Sequence, residues 1–246
     1  MKKLVLVSGA VVWLSVPALA ADVPVKARPA PVPVFTWTSC FLGAHVGGGW
    51  ARKDVTDPVA LVEDALGLTP TPVVTTAHVS PSGAVIGGQF GCDYQFAPNW
   101  VVGVEGSAAG ATMKGDTTVF LSDGTAALVT ARTDFLGSVT GRLGYAVDRW
   151  MYYVRGGAAW AGDKYTVTGI GFGFEGLDWR PGWTVGAGIE WAFARSWSAR
   201  LEYDYYGLGT RTILMSDVLN GFSGPLDVKQ NVQTVKLGVN FHVWGP

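Results

Sequence analysis

The chain has few charged residues and, after its first twenty residues, no long apolar run. Charged side chains make up 15% of the 246 residues, against about 25% in an average soluble domain. No stretch of 18 or more apolar residues follows residue 20, which excludes a membrane-spanning helix in the mature chain. The net charge is only −1, so there is no basic surface to indicate nucleic-acid binding.

Motifs for catalysis are missing as well. The sequence contains no nucleophile elbow, no zinc-protease motif and no phosphate-binding loop. Cysteine and histidine are also scarce, at two and three residues. We therefore predict a protein that is not an enzyme and has no catalytic residue.

The first twenty residues have the features of a cleaved export signal. Lys2 and Lys3 form a basic start, residues 4–16 are apolar, and an A-x-A cleavage site at 18–20 precedes Ala21. Residues 21–36 are rich in proline, which is typical of an extended periplasmic leader. We expect a solvated tail, with contact to peptidoglycan or another periplasmic partner as the alternative. The rest of the chain, 37–246, is assigned to one β domain.

Eight segments of that domain alternate apolar and polar side chains with a period of two, as strands with two different faces do. Each is at least about 9–11 residues long, enough to cross a bilayer at a tilt. For example, Trp100, Val102 and Val104 share one face, and Gly103 and Glu105 share the other. The segments are 40–50, 82–96, 100–111, 134–147, 150–161, 183–192, 197–207 and 232–243.

The connections between these segments alternate in length. The short turns are 97–99, 148–149 and 194–196, and the long connections are 51–81, 112–133, 162–182 and 208–231. Short periplasmic turns and long extracellular loops are typical of outer-membrane barrels. Because lipid cannot satisfy an open sheet edge, the first and last strands should pair. We predict an all-β, eight-stranded antiparallel transmembrane β-barrel (OmpA/OmpX-like) in the Gram-negative outer membrane, with long extracellular loops and short periplasmic turns.

Tryptophans mark the ends of the lipid-facing rows. Their amphipathic rings suit the headgroup zone, so we expect two aromatic girdles. Trp100, Trp150 and Trp197 begin strands on the periplasmic side, and Trp50, Trp160 and Trp183 lie near the opposite ends. A ligand-binding role for these rings is the minor alternative.

The only two cysteines, Cys40 and Cys92, have the same parity at the periplasmic ends of the first two predicted strands. Export places them in an oxidising compartment, and antiparallel neighbours bring those ends together. We predict a structural disulfide between them. Two free thiols slightly out of register remain the alternative, because disulfide geometry is strict.

Nine charged side chains have the inward parity. Isolated charges would be costly there, so we expect them to pair in one network. An eight-stranded barrel is only wide enough for side chains to fill, which favours a packed interior over a conducting pore. The nine are Asp93, Glu105, Arg142, Arg155, Glu190, Arg200, Glu202, Asp204 and Lys236.

The histidines are His45, His78 and His242. His45 and His242 point inward on strands that should adjoin when the barrel closes, which raises the alternative of a metal or haem site. Two histidines without a third ligand are weak evidence for one. We expect hydrogen-bonded interior roles, no metal and no cofactor.

Three sequence blocks resemble a known family. They are WTSCFLGAHVGGGW at 37–50, GGQFGCDYQFAPNWVVGVEG at 87–106 and VKLGVNF at 235–241. Together with the export signal and leader they closely resemble the alphaproteobacterial outer-membrane surface-antigen barrels, including the RopB-like proteins of rhizobia and the small major outer-membrane proteins of brucellae. The resemblance covers the whole mature chain.

This resemblance implies an abundant structural barrel with roles in envelope integrity and surface exposure, and some relatives are reported to bind haemin. One departure is the chain end: such barrels usually finish on an aromatic residue, whereas Phe241 is followed by five more residues. Either Trp244 takes over in assembly, or assembly is less efficient.

Three functions are therefore considered. A structural barrel leads, a small porin or channel comes second, and a haemin- or ligand-binding surface receptor comes third, with His78 as the residue to test. The expected partners are outer-membrane lipids and lipopolysaccharide, and the barrel-insertion machinery during assembly.

Overall fold

The computed structural model describes residues 35–56, 58, 76–120, 124, 126–169, 172–217 and 223–243. The predicted export signal, most of the leader and Trp244 lie outside these ranges. In the described part, no helix is long and apolar enough to cross a membrane. The strands are β1 Ser39–Thr56, β2 Thr76–Val79, β3 Ser82–Gln95, β4 Trp100–Phe120, β5 Ala126–Val147, β6 Trp150–Gly169, β7 Phe172–Ala194, β8 Trp197–Asp217 and β9 Ser223–His242.

These strands form one antiparallel sheet that closes on itself. β1 pairs with β9 continuously, from Phe41 opposite His242 to Thr56 opposite Asp227. The other edge of β1 pairs with β3 along residues 39–50 and with β2 along residues 53–56. β2 and β3 are separated only by residues 80 and 81, so they act as one interrupted strand. The predicted eight-stranded antiparallel barrel is therefore confirmed.

The three short turns lie where the sequence predicts them. They connect β3 to β4, β5 to β6 and β7 to β8. In the two-residue turn, Asp148 adopts a left-handed backbone with φ of 52°. Tight hairpin turns need this conformation, and aspartate tolerates it better than most residues.

The four long connections are shorter than predicted, because the strands continue through much of each one. β4 extends to Phe120 and β5 begins at Ala126, so most of the predicted loop 112–133 is paired strand. In these extensions the polarity of the two faces is reversed. On β9, for example, Val228 is buried and Lys229 is exposed. The predicted pattern, with apolar residues outside and polar residues inside, therefore ends where these strand extensions begin.

The reversal gives the extended hairpins an apolar interior. One buried cluster fills the upper end and a second lies below it. The upper cluster contains Val129, Tyr165, Phe174, Met215 and Val228, each at most 1% exposed. Apolar burial of this kind is the main favourable term in folding, so the hairpins are packed as a continuation of the barrel.

The ladder between β7 and β8 has one gap. Pairing stops above Trp183 opposite Gly207 and resumes at Glu175 opposite Ser216. Across the gap, the Arg211 guanidinium donates a hydrogen bond from Nη1 to the Trp179 carbonyl at 3.0 Å. A side chain therefore supports the wall where the backbone ladder is missing.

Cys40 and Cys92 are directly opposite each other on β1 and β3 and form the predicted disulfide. The next outward residues, Leu42 and Phe90, are exposed at 60% and 58%. The bridge therefore lies on the outer wall, at the periplasmic end of the barrel.

We expect the double substitution Cys40→Ser/Cys92→Ser to lower thermal stability without preventing folding. The bridge spans 52 residues, and loop closure of that size contributes at most about 4 kcal/mol, while the β1–β3 ladder persists without it. The measurement is the temperature at which the folded band disappears in heat-modifiable gel mobility. Reaction of the wild-type chain with a thiol reagent before reduction would contradict the bridge.

Candidate functional site

Glu105 is the centre of the barrel interior. It points inward from β4, is 2% exposed, and receives three guanidinium groups. Arg155 Nη1 lies 2.6 Å from Oε1, and Arg142 Nη1 lies 3.2 Å from Oε2. Arg200 binds both oxygens, with Nη1 2.6 Å from Oε2 and Nη2 3.1 Å from Oε1. One carboxylate thereby connects β4, β5, β6 and β8.

A second group of ion pairs lies on β8 and β9. Lys236 Nζ is 2.9 Å from Glu202 Oε1 and 2.7 Å from Asp204 Oδ2. Arg155 binds the same two acids, with Nε 2.7 Å from Asp204 Oδ1 and Nη2 3.1 Å from Glu202 Oε1. The Tyr153 hydroxyl donates to Glu202 Oε2 at 2.8 Å. Glu202 and Asp204 are therefore held by cations and are not a free carboxylate pair.

Arg142 extends the network toward the periplasm. Its Nη2 lies 2.8 Å from Glu190 Oε2, and its Nε lies 3.2 Å from Asp93 Oδ1. The guanidinium also lies over the Tyr153 ring, 4.4 Å from the centroid. The structure thus joins all nine inward charges that the sequence singles out. Because both partners of each pair are buried, removal of one partner would leave the other as an uncompensated charge.

Hydrogen bonds determine the tautomer of neutral His242. Ser198 Oγ donates to Glu190 Oε1 at 2.5 Å, so it accepts from His242 Nε2 at 2.9 Å. His242 Nδ1 then accepts from Ser39 Oγ at 2.7 Å. Both ring nitrogens are used within the interior.

His45 belongs to a different chain of hydrogen bonds from the same carboxylate. Asn240 Nδ2 donates to Glu190 Oε1 at 2.8 Å, and Gln89 Nε2 donates to Asn240 Oδ1 at 2.7 Å. Gln89 Oε1 therefore accepts from His45 Nδ1 at 2.6 Å. His45 and His242 lie opposite Gly238 and Phe41 respectively, at different levels of the barrel. The described residues include no group of three or more His, Cys, Asp or Glu side chains placed to hold a metal.

The periplasmic end is covered by residues that precede β1. Trp37 is 1% exposed and its ring lies edge-on to His242 at 6.1 Å. Its amide donates to Gln95 Oε1 at 2.9 Å, and Phe35 packs against the Trp37 ring at 5.1 Å. Phe35 falls in the predicted leader, and Trp37 is predicted only as the first residue of the β domain. The only sign of this role in the sequence is that two aromatic residues, Phe35 and Trp37, directly precede the first strand.

A second set of buried charges, which the sequence pattern does not predict, lies nearer the extracellular end of the barrel. Lys53 Nζ is 2.7 Å from Asp163 Oδ1, and both side chains are fully buried. Arg180 Nη2 is 2.9 Å from Asp178 Oδ2, and its Nη1 donates to the Val228 carbonyl at 2.9 Å. These residues fall in segments predicted as loops, where inward parity was not considered.

The six predicted girdle tryptophans all lie on the outer face. Trp50, Trp100, Trp150, Trp183 and Trp197 are 43–54% exposed, and Trp160 is half-buried. The periplasmic ring has members that the sequence analysis does not include. Trp191 stacks on Trp150 with centroids 5.5 Å apart, and Phe241 packs against Trp197 at 5.1 Å.

His78, the remaining candidate residue, lies apart from the interior. It is on β2 with a side chain 73% exposed, and Nδ1 is 2.7 Å from Asp54 Oδ1. The structure does not bring it near His45 or His242, so the three histidines do not form one site.

The closed sheet, the apolar outer wall between two aromatic rings and the charged, filled interior define an integral outer-membrane β-barrel protein. The protein-family model named "Outer membrane protein beta-barrel domain" matches residues 10–241 of this chain. The chain belongs to this family, and its place is the Gram-negative outer membrane.

Relatives and solved structures agree with this assignment. The chain is 32% identical to the 31 kDa outer-membrane immunogenic protein of Brucella melitensis, over 98% of this chain and 99% of the relative. It is 27% identical to the 25 kDa outer-membrane immunogenic protein of Brucella abortus, over 98% of both. The resemblance to surface-antigen barrels of brucellae is confirmed.

The solved structures show the fold alone. OprG from Pseudomonas aeruginosa has a TM-score of 0.55 at 16% identity, covering 84% of this chain and 97% of OprG. The outer membrane protease OmpT from Escherichia coli has a TM-score of 0.50 at 9% identity, covering 86% and 99%.

We expect Glu105→Gln to destabilise the barrel strongly. The substitution keeps the shape but leaves three buried guanidinium groups short of negative charge, at a cost of about 3–5 kcal/mol. The measurement is urea unfolding in lipid vesicles, supported by the heat-modifiable gel shift.

Glu175→Gln is the matched control. Its side chain is 48% exposed beside Lys164, so the loss should be at most about 1 kcal/mol. Equal unfolding midpoints for the two variants would contradict the role of Glu105. Asp57, an acid in the first predicted loop that the sequence suggests as a control, lies outside the described residues.

Proposed function

We propose that the protein is a closed structural barrel that contributes to envelope integrity and presents its hairpins at the cell surface. The observation that supports this is the filled lumen. Trp37 covers the periplasmic end, the nine-residue charge network fills the centre, and apolar side chains pack above it. Together they leave the interior to side chains, as expected for a barrel of this size.

Surface exposure is supported by the extended hairpins. Above the outer girdle most outward side chains are polar, with Leu177, Trp179 and Leu214 among the exposed exceptions, and most inward ones are apolar, as in a domain surrounded by water. The inward exceptions include the buried ion pairs of Lys53 and Arg180. The Brucella relatives are named immunogenic proteins, which is in keeping with this exposure.

An enzymatic role is not proposed. Ser39 and His242 are hydrogen-bonded, but they are 7% and 3% exposed and lie beneath Trp37. A nucleophile needs access to its substrate as well as a base. The likeness to OmpT extends to the fold alone.

We expect the refolded barrel to be silent in planar bilayers, because the ion pairs around Glu105 occupy the path. The measurement is single-channel current at several voltages, with folding checked by heat-modifiable mobility and a conducting porin as positive control. Steady, reproducible steps from the folded protein would instead favour the small-porin alternative.

We expect a strain that lacks the protein to have a weaker outer membrane. Loss of the barrel should raise uptake of a hydrophobic dye and sensitivity to detergent. Expression of the wild-type chain should restore both, and Glu105→Gln should restore them in proportion to the folded protein that reaches the membrane. Unchanged permeability in the deletion strain would contradict the proposed role.

A further inference from the structure

Three basic side chains lie side by side on the outer face of neighbouring strands. Lys114 on β4 is directly opposite Arg132 on β5, and Arg132 is directly opposite Lys164 on β6. Their side chains are 57%, 50% and 37% exposed. Opposed residues on a sheet face have Cβ atoms about 5 Å apart, and like charges placed in this way repel each other. We call these three residues the cation row.

Each cation of the row has an acid nearby, but these ion pairs do not prevent the cations from binding another anion. The N···O distances are 3.6, 3.3 and 3.1 Å for Lys114–Asp116, Arg132–Asp134 and Lys164–Glu175. The acid side chains are 42–50% exposed. Exposed pairs of this kind contribute little stability and exchange readily. The cations therefore remain available to a stronger anion.

Along the barrel axis, the cation row lies at the level of the lipid headgroups. On β6 it lies four residues beyond Trp160, a member of the outer girdle. With the rise of a strand and the tilt of a barrel, this is roughly 10 Å above the ring. Girdle tryptophans lie at the membrane–water interface, so the cation row lies in the zone of charged headgroups.

A shallow apolar groove runs directly below on the same wall. Three small residues of its floor lie opposite one another on β3, β4 and β5, and Trp160 on β6 is one edge. A fourth, Gly106, lies on β4 between Phe90 and Val139. A Cβ added at Gly106 would meet no atom within 4 Å, so the groove is open toward the membrane. The floor residues are Gly88, Gly106, Ala108 and Gly137.

We propose that this wall binds a phosphorylated glycolipid of the outer leaflet. The cation row holds the phosphate groups, and the groove takes an acyl chain. Charge complementarity supports this assignment, because three opposed cations at headgroup height lie above an apolar groove on the same wall. This surface is separate from the lumen, so the proposal goes beyond a closed structural barrel and does not depend on it.

The test uses the full mature chain in nanodiscs, with bisphosphorylated lipid A as the probe. The variant Lys114→Gln/Arg132→Gln/Lys164→Gln removes the charge of the cation row. Its control, Arg52→Gln/Arg195→Gln/Lys229→Gln, removes the same charge elsewhere. All three control residues are exposed: Arg52 on β1, Arg195 on the β7–β8 turn and Lys229 on β9. Strand β9 lies across the ring from β5.

We expect the cation-row variant to bind lipid A at least about tenfold more weakly than wild type, since charge-assisted contacts to phosphate are strong. The control variant should bind within about twofold of wild type. Removal of both phosphates from the probe should lower wild-type binding to the level of the variant. Equal affinity of wild type and the cation-row variant would overturn the proposal, as would full affinity for the dephosphorylated lipid.

A second variant tests the groove. A Cβ added at Gly106 meets no atom within 4 Å, and the larger side chain of Gly106→Leu would occupy the floor, so binding should weaken several-fold while the phosphate dependence remains. Heat-modifiable mobility confirms that each variant is folded. Unchanged affinity of Gly106→Leu would overturn the acyl-chain part of the proposal.

Discussion

Lipid offers no hydrogen bonds to the backbone, and this constraint determines most of the structure. A spanning sheet must close, because an unpaired edge would be costly in hydrocarbon. Closure with eight strands produces an interior of fixed and small width, here sealed by the long β1–β9 ladder. That interior must then be filled by side chains that satisfy one another. Glu105 can accept three guanidinium groups only because closure brings β5, β6 and β8 around it.

The solvent around the barrel determines which residues fill each level. Between the two aromatic rings the outside is lipid, so apolar residues face outward and the charges are collected inside. Above the outer ring the outside is water, and the same strands turn their apolar side chains inward, as at Val228. The cation row lies at the transition between these two regimes. At this transition, exposed cations and the exposed apolar groove lie within a few residues of each other on the same wall.

The sequence predicts the barrel well because its main signal is local. Period-two alternation and short turns are visible in single segments, and inward parity was enough to identify all nine network residues from Asp93 to Lys236. The pattern does not predict the extensions, because it requires apolar residues on the outer face, and this condition fails once the strand leaves the membrane. Lys53 and Asp163 were missed for the same reason. The role of Trp37 depends on a chain reversal at the barrel end, for which a strand pattern carries no information.

The ion pairs around Glu105 also have a consequence for biogenesis. Glu105 and Arg200 are 95 residues apart in the chain, and their bidentate contact forms only when β4 and β8 are in the same ring. A single hairpin entering the membrane would carry charges such as Arg200 into hydrocarbon without their full set of partners, which is expensive. Stepwise insertion of hairpins is therefore disfavoured. The network is complete only when all the strands that carry it have met, and its ion pairs therefore favour insertion of the strands together.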